Sequence, residues 1–255
     1  MKSRHELTEI MNFIVEYATI QLGSGVHTSR VVRNTRRIGE ALGTDVRMST
    51  FQKNAIVSVT DIEDEMHITR VVPIPNLPIS FQLNSDLSTL SWEATDEGLT
   101  LDDIRNRYDI AITKKRLHPN FVTLGVGLAN ASFCRLFGGD VIAMAIVFVS
   151  TVIGFSIKQW MTHKNIANYI VIGLVSFIAS AIASVSIFFD CNANIAIATS
   201  PLFLVPGVPL INGFIDIVEG YTLIGMSRLV NALLIIVCIA VGLSISLIIV
   251  KNSLI

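Results

Sequence analysis

No cysteine precedes Cys134 in this 255-residue chain, and the other two, Cys191 and Cys238, also lie in its apolar second half. A disulfide framework is therefore excluded for the first half, which fits a reducing compartment. Histidine is scarce there too. His5, His27 and His67 are scattered without paired ligand spacing, so no zinc site is expected. No Gly-x-Ser-x-Gly elbow offers a serine nucleophile. The Gly23-Ser-Gly25 turn lacks both the Gly-Lys-Ser/Thr ending of a nucleotide loop and the full dinucleotide fingerprint. Glu63, Asp64 and Glu65 stand together, but in a turn, where acids are solvated. No enzyme, cofactor or metal follows from these residues. Neither half has the basic excess of a nucleic-acid binder. No secretory h-region is expected either, since Met1-Lys-Ser-Arg-His-Glu6 opens an amphipathic segment and the first hydrophobic run starts only after residue 120.

Charge is the other scarce commodity, and its scarcity is one-sided. Residues 1–116 hold 14 Lys/Arg and 16 Asp/Glu, whereas residues 117–255 hold only 5 and 4. The mean hydropathy of +0.61 thus averages an ordinary soluble domain with a very apolar one. The boundaries expected are 1–116 for a cytoplasmic α+β domain and 117–255 for an all-α, multi-pass membrane domain.

In the first domain, Ser3 and Glu6 fit a capping box, followed by an apolar stripe at Leu7, Ile10, Met11, Ile14 and Ala18. Glycines in Leu22-Gly-Ser-Gly25 end that helix, and Thr28 or Ser29 caps a second one. Its start is a place where free N–H groups bind an anion. Arg30, Arg33 and Arg37 line one face, either as solvated surface or as a contact for anionic headgroups or a partner's acids. Alternation over 45–51, 55–61 and 66–72 predicts a three-stranded meander. Pro73, Pro75 and Pro78 make an extended connector, and helices are expected over 85–97 and 101–113.

Five membrane spans are expected, near 120–136, 140–160, 168–189, 195–215 and 227–250. Lys114, Lys115, Arg116, Lys158, Lys164 and Arg228 fall on one side, against Arg135 and Lys251 on the other. The positive-inside rule then puts the first domain in the cytoplasm of an inner-membrane protein. In the first span, Gly125-x-x-x-Ala129 suits a helix–helix seam, and Asn130 and Arg135 are candidates for buried or pathway-facing roles. The stretch Leu204-Val-Pro-Gly-Val-Pro-Leu-Ile-Asn212 organises the rest. Pro206 and Pro209 each remove a backbone donor, so with Gly207 they predict a break over Pro206–Pro209. A kinked structural helix would carry the same prolines. The trailing face of Asn212, Asp216 and Glu219 points instead to a pathway lining, because broken helices in secondary transporters build substrate sites. Arg228 is placed to pair with Asp216 or Glu219.

This layout resembles the threonine/serine exporter family, specifically the long subunit of its split, two-component form. The residues that carry the resemblance are Gly25-Val-His-Thr-Ser-Arg-Val31, Ala41-Leu-Gly43, Asn54-Ala-Ile-Val57 and, above all, Leu204 to Asn212 with Asp216 and Gly220. The resemblance implies proton-linked secondary export. It also implies a small membrane protein subunit that completes the transporter, because single-chain members carry about ten spans. Export of dicarboxylates such as succinate is implied for the split form, and of threonine or serine for the fused form.

The resulting expectation is an exporter subunit for a small carboxylate, succinate first and threonine or serine next, working in a lipid bilayer, with a homo-oligomer as a further option for its assembly. Pro206, Gly207 and Pro209 would form the break, Asn212 would meet substrate or a helix, and Asp216 would carry a coupling cation or proton. Asn130 and Arg228 are further candidates. The rival reading is a membrane-anchored cytoplasmic binding or regulatory module without transport activity of its own.

Overall fold

Ser3 starts the first helix as its spacing to Glu6 requires. Glu6 N–H donates to Ser3 Oγ at 3.2 Å, and Ser3 N–H donates back to the Glu6 carboxylate at 2.6 Å. The computed structural model describes residues 2–64, 66–114 and 117–253. Glu65 of the acidic turn, Lys115 and Arg116 of the basic cluster, and the side chain of Lys251 lie outside the described residues. The elements run α1 (Arg4–Gly23), α2 (Thr28–Ala41), β1 (Thr44–Thr50), β2 (Asn54–Asp61), β3 (His67–Pro73), α3 (Phe81–Asp96) and α4 (Leu101–Thr113). Then come α5 (Pro119–Leu136), α6 (Val141–His163), α7 (Asn168–Ala183), α8 (Ala193–Thr199), α9 (Gly207–Val218) and α10 (Thr222–Ser253). Short 3₁₀ turns at Ser184–Phe188 and Leu202–Leu204 follow α7 and α8. The chain forms two compact units, one of Met1–Lys115 with Val208–Val230, the other of Arg116–Gly207 with Asn231–Ile255.

In the first unit α1 is the central element. Leu7, Met11, Phe13, Ile14 and Tyr17 are all fully buried, because α1 lies among α2, α3 and the sheet. The sheet is the expected meander, antiparallel in the order β1-β2-β3, with Val59 opposite Val46 on one side and Ile68 on the other. Its alternation turns Ala55, Val57 and Val59 into the core. The Phe13 and Tyr108 rings meet edge to face at 5.4 Å, and the buried Tyr17 hydroxyl donates to Leu87 O at 2.6 Å. Such an aromatic pair adds about 0.5–1.5 kcal/mol beyond its area. Of the arginine stripe, Arg37 belongs to this unit's own packing. It donates to Ser91 Oγ at 2.8 Å and stacks over Trp92 at 3.5 Å.

In the second unit α6 is the hub, packed against α5, α7 and α8. Where α10 crosses α7, a Cβ on Gly242 would lie 2.4 Å from Gly173 O, so that crossing requires glycine. Ser176 Oγ donates to Ile239 O beside it at 2.8 Å. The seam expected through Gly125 and Ala129 is corrected, since both face outward. The buried face of α5 runs through Thr123, Gly127, Asn130 and Cys134, with Gly127 against Phe148 and Val152 of α6.

Among the described residues three helices are long and apolar enough to cross a membrane: α6, α7 with its 3₁₀ extension, and α10. A fourth is counted if α8 with its following turn and α9 make one broken span. Against the five spans expected, three or four meet that test among the described residues. The fifth, α5, has 18 residues but spends them on Asn120, Thr123, two glycines, Asn130, Ser132 and Arg135. The break itself is present, with α8 and its following turn bent by 62° from α9, but its chemistry differs from expectation. Pro201 ends α8, Leu202–Leu204 tightens into a 3₁₀ turn, and Val205 is extended at φ −60° and ψ 127° ahead of Pro206. Pro209 falls in the first turn of α9, where its missing N–H would have had no helical partner. Pro209 therefore takes no part in the break, and Pro201 does.

Candidate functional site

Asp216 lies on α9, nine residues after the helix restarts at Gly207, and is fully buried. A carboxylate without water needs donors and a counter-charge. Thr28 at the start of α2 supplies two donors: its N–H reaches Oδ1 at 2.8 Å and its hydroxyl reaches Oδ2 at 3.2 Å. Arg228 on α10 supplies the charge, with Nη1 at 2.9 Å from Oδ2. The anion expected at the α2 N-terminus is thus this chain's own Asp216, 188 residues away.

The same short turn is gripped at two further points. Asn212 Nδ2 donates to Gly25 O at 2.7 Å, and Arg228 Nη2 donates to Val26 O at 3.1 Å. Gly25 takes a φ of +89°, a backbone conformation that favours glycine. Asn212, Arg228 and Asp216 therefore bind the backbone of Gly25, Val26 and Thr28, three positions within the four-residue stretch 25–28. A tight α9–α10 hairpin makes this possible, since a Cβ on Gly225 would lie 2.7 Å from Gly213 O. At the margin, Arg33 Nη1 stands 3.7 Å from Glu219. The Ser29 hydroxyl, with Arg33 beside it, holds the Glu219 carboxyl below the ordinary carboxylate range. Burial, aided by Arg30, pushes the His27 imidazole down despite Glu219 and Asp216 nearby.

Pro206 and Gly207 belong to the other unit by their packing and make none of these bonds. Asn130 also lies there, buried on α5. Its Nδ2 donates to Thr151 Oγ1 at 2.7 Å and faces the carbonyls of Thr199 and Ser200, each at 3.2 Å. Arg135 is exposed and donates to Gly139 O at 3.1 Å, closing the end of α5. Of the residues singled out from sequence, the fold brings Asn212, Asp216 and Arg228 together. Thr28 as the partner of Asp216 and Thr151 as the partner of Asn130 carry no signal in the sequence. The start of α2 is legible as a helix cap and an anion-binding place, but nothing in the spacing ties Thr28 to α9.

Apolar helices, one of them broken and running into a buried, charge-paired carboxylate, define a membrane transport protein. The chain belongs to the ThrE family, described as "Putative threonine/serine exporter", which matches residues 12–250. It is 27% identical over 242 residues to the "Probable succinate transporter subunit YjjP" of Klebsiella aerogenes, covering 94% of this chain and 93% of that protein. The protein of the same name from Escherichia coli is 28% identical over 241 residues, with 93% of each covered. A "Probable threonine/serine exporter" of Mycobacterium tuberculosis is 22% identical over 245 residues, which are 94% of this chain but 46% of that one. No solved structure matches.

Proposed function

We propose that this chain is one subunit of an inner-membrane secondary exporter of a small carboxylate, with succinate the first substrate to test and threonine or serine the next. The observation that carries the reading is Asp216, a fully buried carboxylate on the half-helix after the break, held by Arg228 and Thr28. Ionisable groups kept in an apolar segment at such cost belong to substrate or ion pathways. The relatives' names supply the substrate classes, and the word "subunit" in two of them supports a membrane partner. The match to 46% of the mycobacterial exporter supports the same division of labour. The first domain is assigned to the cytoplasm by the distribution of lysine and arginine. Its role is binding or gating rather than catalysis.

Cells co-expressing the chain with its membrane partner should export labelled succinate, and Asp216→Asn should abolish or sharply reduce that export while the protein remains in the membrane. Labelled threonine and serine in parallel assign the substrate. Wild-type export by Asp216→Asn would remove the carboxylate from the pathway. Undiminished export by the partner alone would favour the anchored regulatory module instead.

A further inference from the structure

A second buried polar cluster lies within the second unit, between α5, α6, α7 and the end of α8. Asn130 is 2% exposed, and three oxygens converge on its Nδ2: Thr151 Oγ1 at 2.7 Å, Thr199 O at 3.2 Å and Ser200 O at 3.2 Å. An amide nitrogen has two hydrogens, one fewer than these acceptors. The Oδ1 of the same amide is buried and accepts no hydrogen bond. The proline at 201 adds to the surplus of oxygen. It has no N–H for Ile197 O, and the Ser200 hydroxyl makes that bond instead at 2.9 Å. Ser180 Oγ stands 3.5 Å from Ser200 Oγ, and Thr151, Ser180 and Ser200 are all fully buried. The cluster sits at the C-terminal end of α8, so its carbonyls also carry the partial negative charge of a helix end.

We propose that Asn130 Oδ1, Thr151 Oγ1 and the carbonyl oxygens of Thr199 and Ser200 form a binding site for a small alkali cation, with sodium as the probe. Half a turn of the Asn130 amide exchanges its two ends and turns three converging oxygens into four. The set is neutral, which matches one positive charge; a divalent ion draws on carboxylates, and this set has none. Capping alone accounts for Nδ2 but leaves Oδ1 without a role.

The test is thermal unfolding of the full chain, purified in detergent, in sodium chloride and in choline chloride at equal ionic strength. Sodium should raise the wild-type midpoint in a saturable way, as a ligand of the folded state does. Thr151→Val keeps the shape, removes one ligand and should blunt that response. Asn130→Asp removes the donor and adds a charge to the oxygen set. It should unfold early in choline, recover in sodium, and reach half-saturation at a sodium concentration about tenfold lower than wild type. Coincident wild-type midpoints in the two salts would overturn the proposal. So would an Asn130→Asp variant equally unstable in both, which would leave Asn130 as a cap of α8. Neither result touches export, so the cation site and the exporter reading stand or fall separately.

Discussion

Asp216 and Arg228 form a pair that can be cut from either side, and the cost should depend on which charge is stranded. Asp216→Asn can still accept the Thr28 N–H but leaves Arg228, whose side chain is 18% exposed, without its counter-ion. Arg228→Gln strands the buried carboxylate instead. Each single change should cost about 3–5 kcal/mol, and the double variant clearly less than the sum, since removing both charges strands neither. Unfolding of the four proteins in detergent measures this, and simple additivity would count against the pair. Exchanging the two residues is the poorer experiment, because it would set an arginine against the Thr28 N–H. That pairing was legible in the sequence, where the two residues flank one turn. The bonds from Thr28 and Asn212 were not, because no local rule links positions 187 and 188 residues apart.

His27 gives the same region a pH dependence of its own. Burial lowers its pKa below the ordinary 6.5, so in the folded protein it stays neutral to lower pH than in the unfolded chain. As pH falls through about 6.5 the unfolded chain takes up the proton first, and stability drops until the lower folded value is reached. His27→Gln should flatten the unfolding midpoint across that window. An unchanged slope would exclude His27 as its source. Glu219 acts at lower pH, since its depressed carboxyl contributes stability above its ordinary range and loses it as pH falls through the folded value.

At the level of elements, the break in the fourth apolar segment was legible in place but not in mechanism. By the backbone donors they remove, Pro206 and Pro209 stand equal in the sequence. The helix, however, restarts at Gly207, so Pro209 occupies a first turn that tolerates it, while Pro201 closes α8. The three prolines should therefore separate by substitution. Pro209→Ala should leave export and stability near wild type. Pro206→Ala frees Val205 from its extended conformation and, combined with Pro201→Ala, lets α8 run on into α9. Export should fall in that double variant with the protein still inserted, since insertion follows the summed hydropathy of the segment. Labelled-substrate export decides it. Equal losses from Pro209→Ala and the double variant would mean that helix continuity is not what matters. The difference over α5 has a similar origin. A run of weakly apolar residues reads as a short span, whereas the folded α5 presents one small, polar face to α6 and is not apolar enough to qualify.

For the whole molecule, division by composition and division by packing are different cuts. Charge falls away after residue 116, yet residues 208–230 pack with the first 115 in one unit. Deleting residues 1–110 would therefore do more than remove a gate. It would strip Asp216 of both Thr28 donors, leave Asn212 and Arg228 without the Gly25 and Val26 carbonyls, and uncover α9. Each buried polar group left without a partner costs about 1–3 kcal/mol. The truncated protein should accordingly be made in smaller amounts and unfold earlier, as well as failing to export. The apolar helices set the opposite requirement. Only 17% of the most hydrophobic window of α10 and 28% of that of α6 is buried within the chain, against 50% for α7. Lipid alone can cover such faces, but a pathway needs walls, and three or four spans supply few. Purification in mild detergent should therefore yield a larger assembly, with a second membrane subunit or further copies of this chain bound. A monodisperse single chain that moves substrate across liposomes unaided would show that this chain forms the pathway alone.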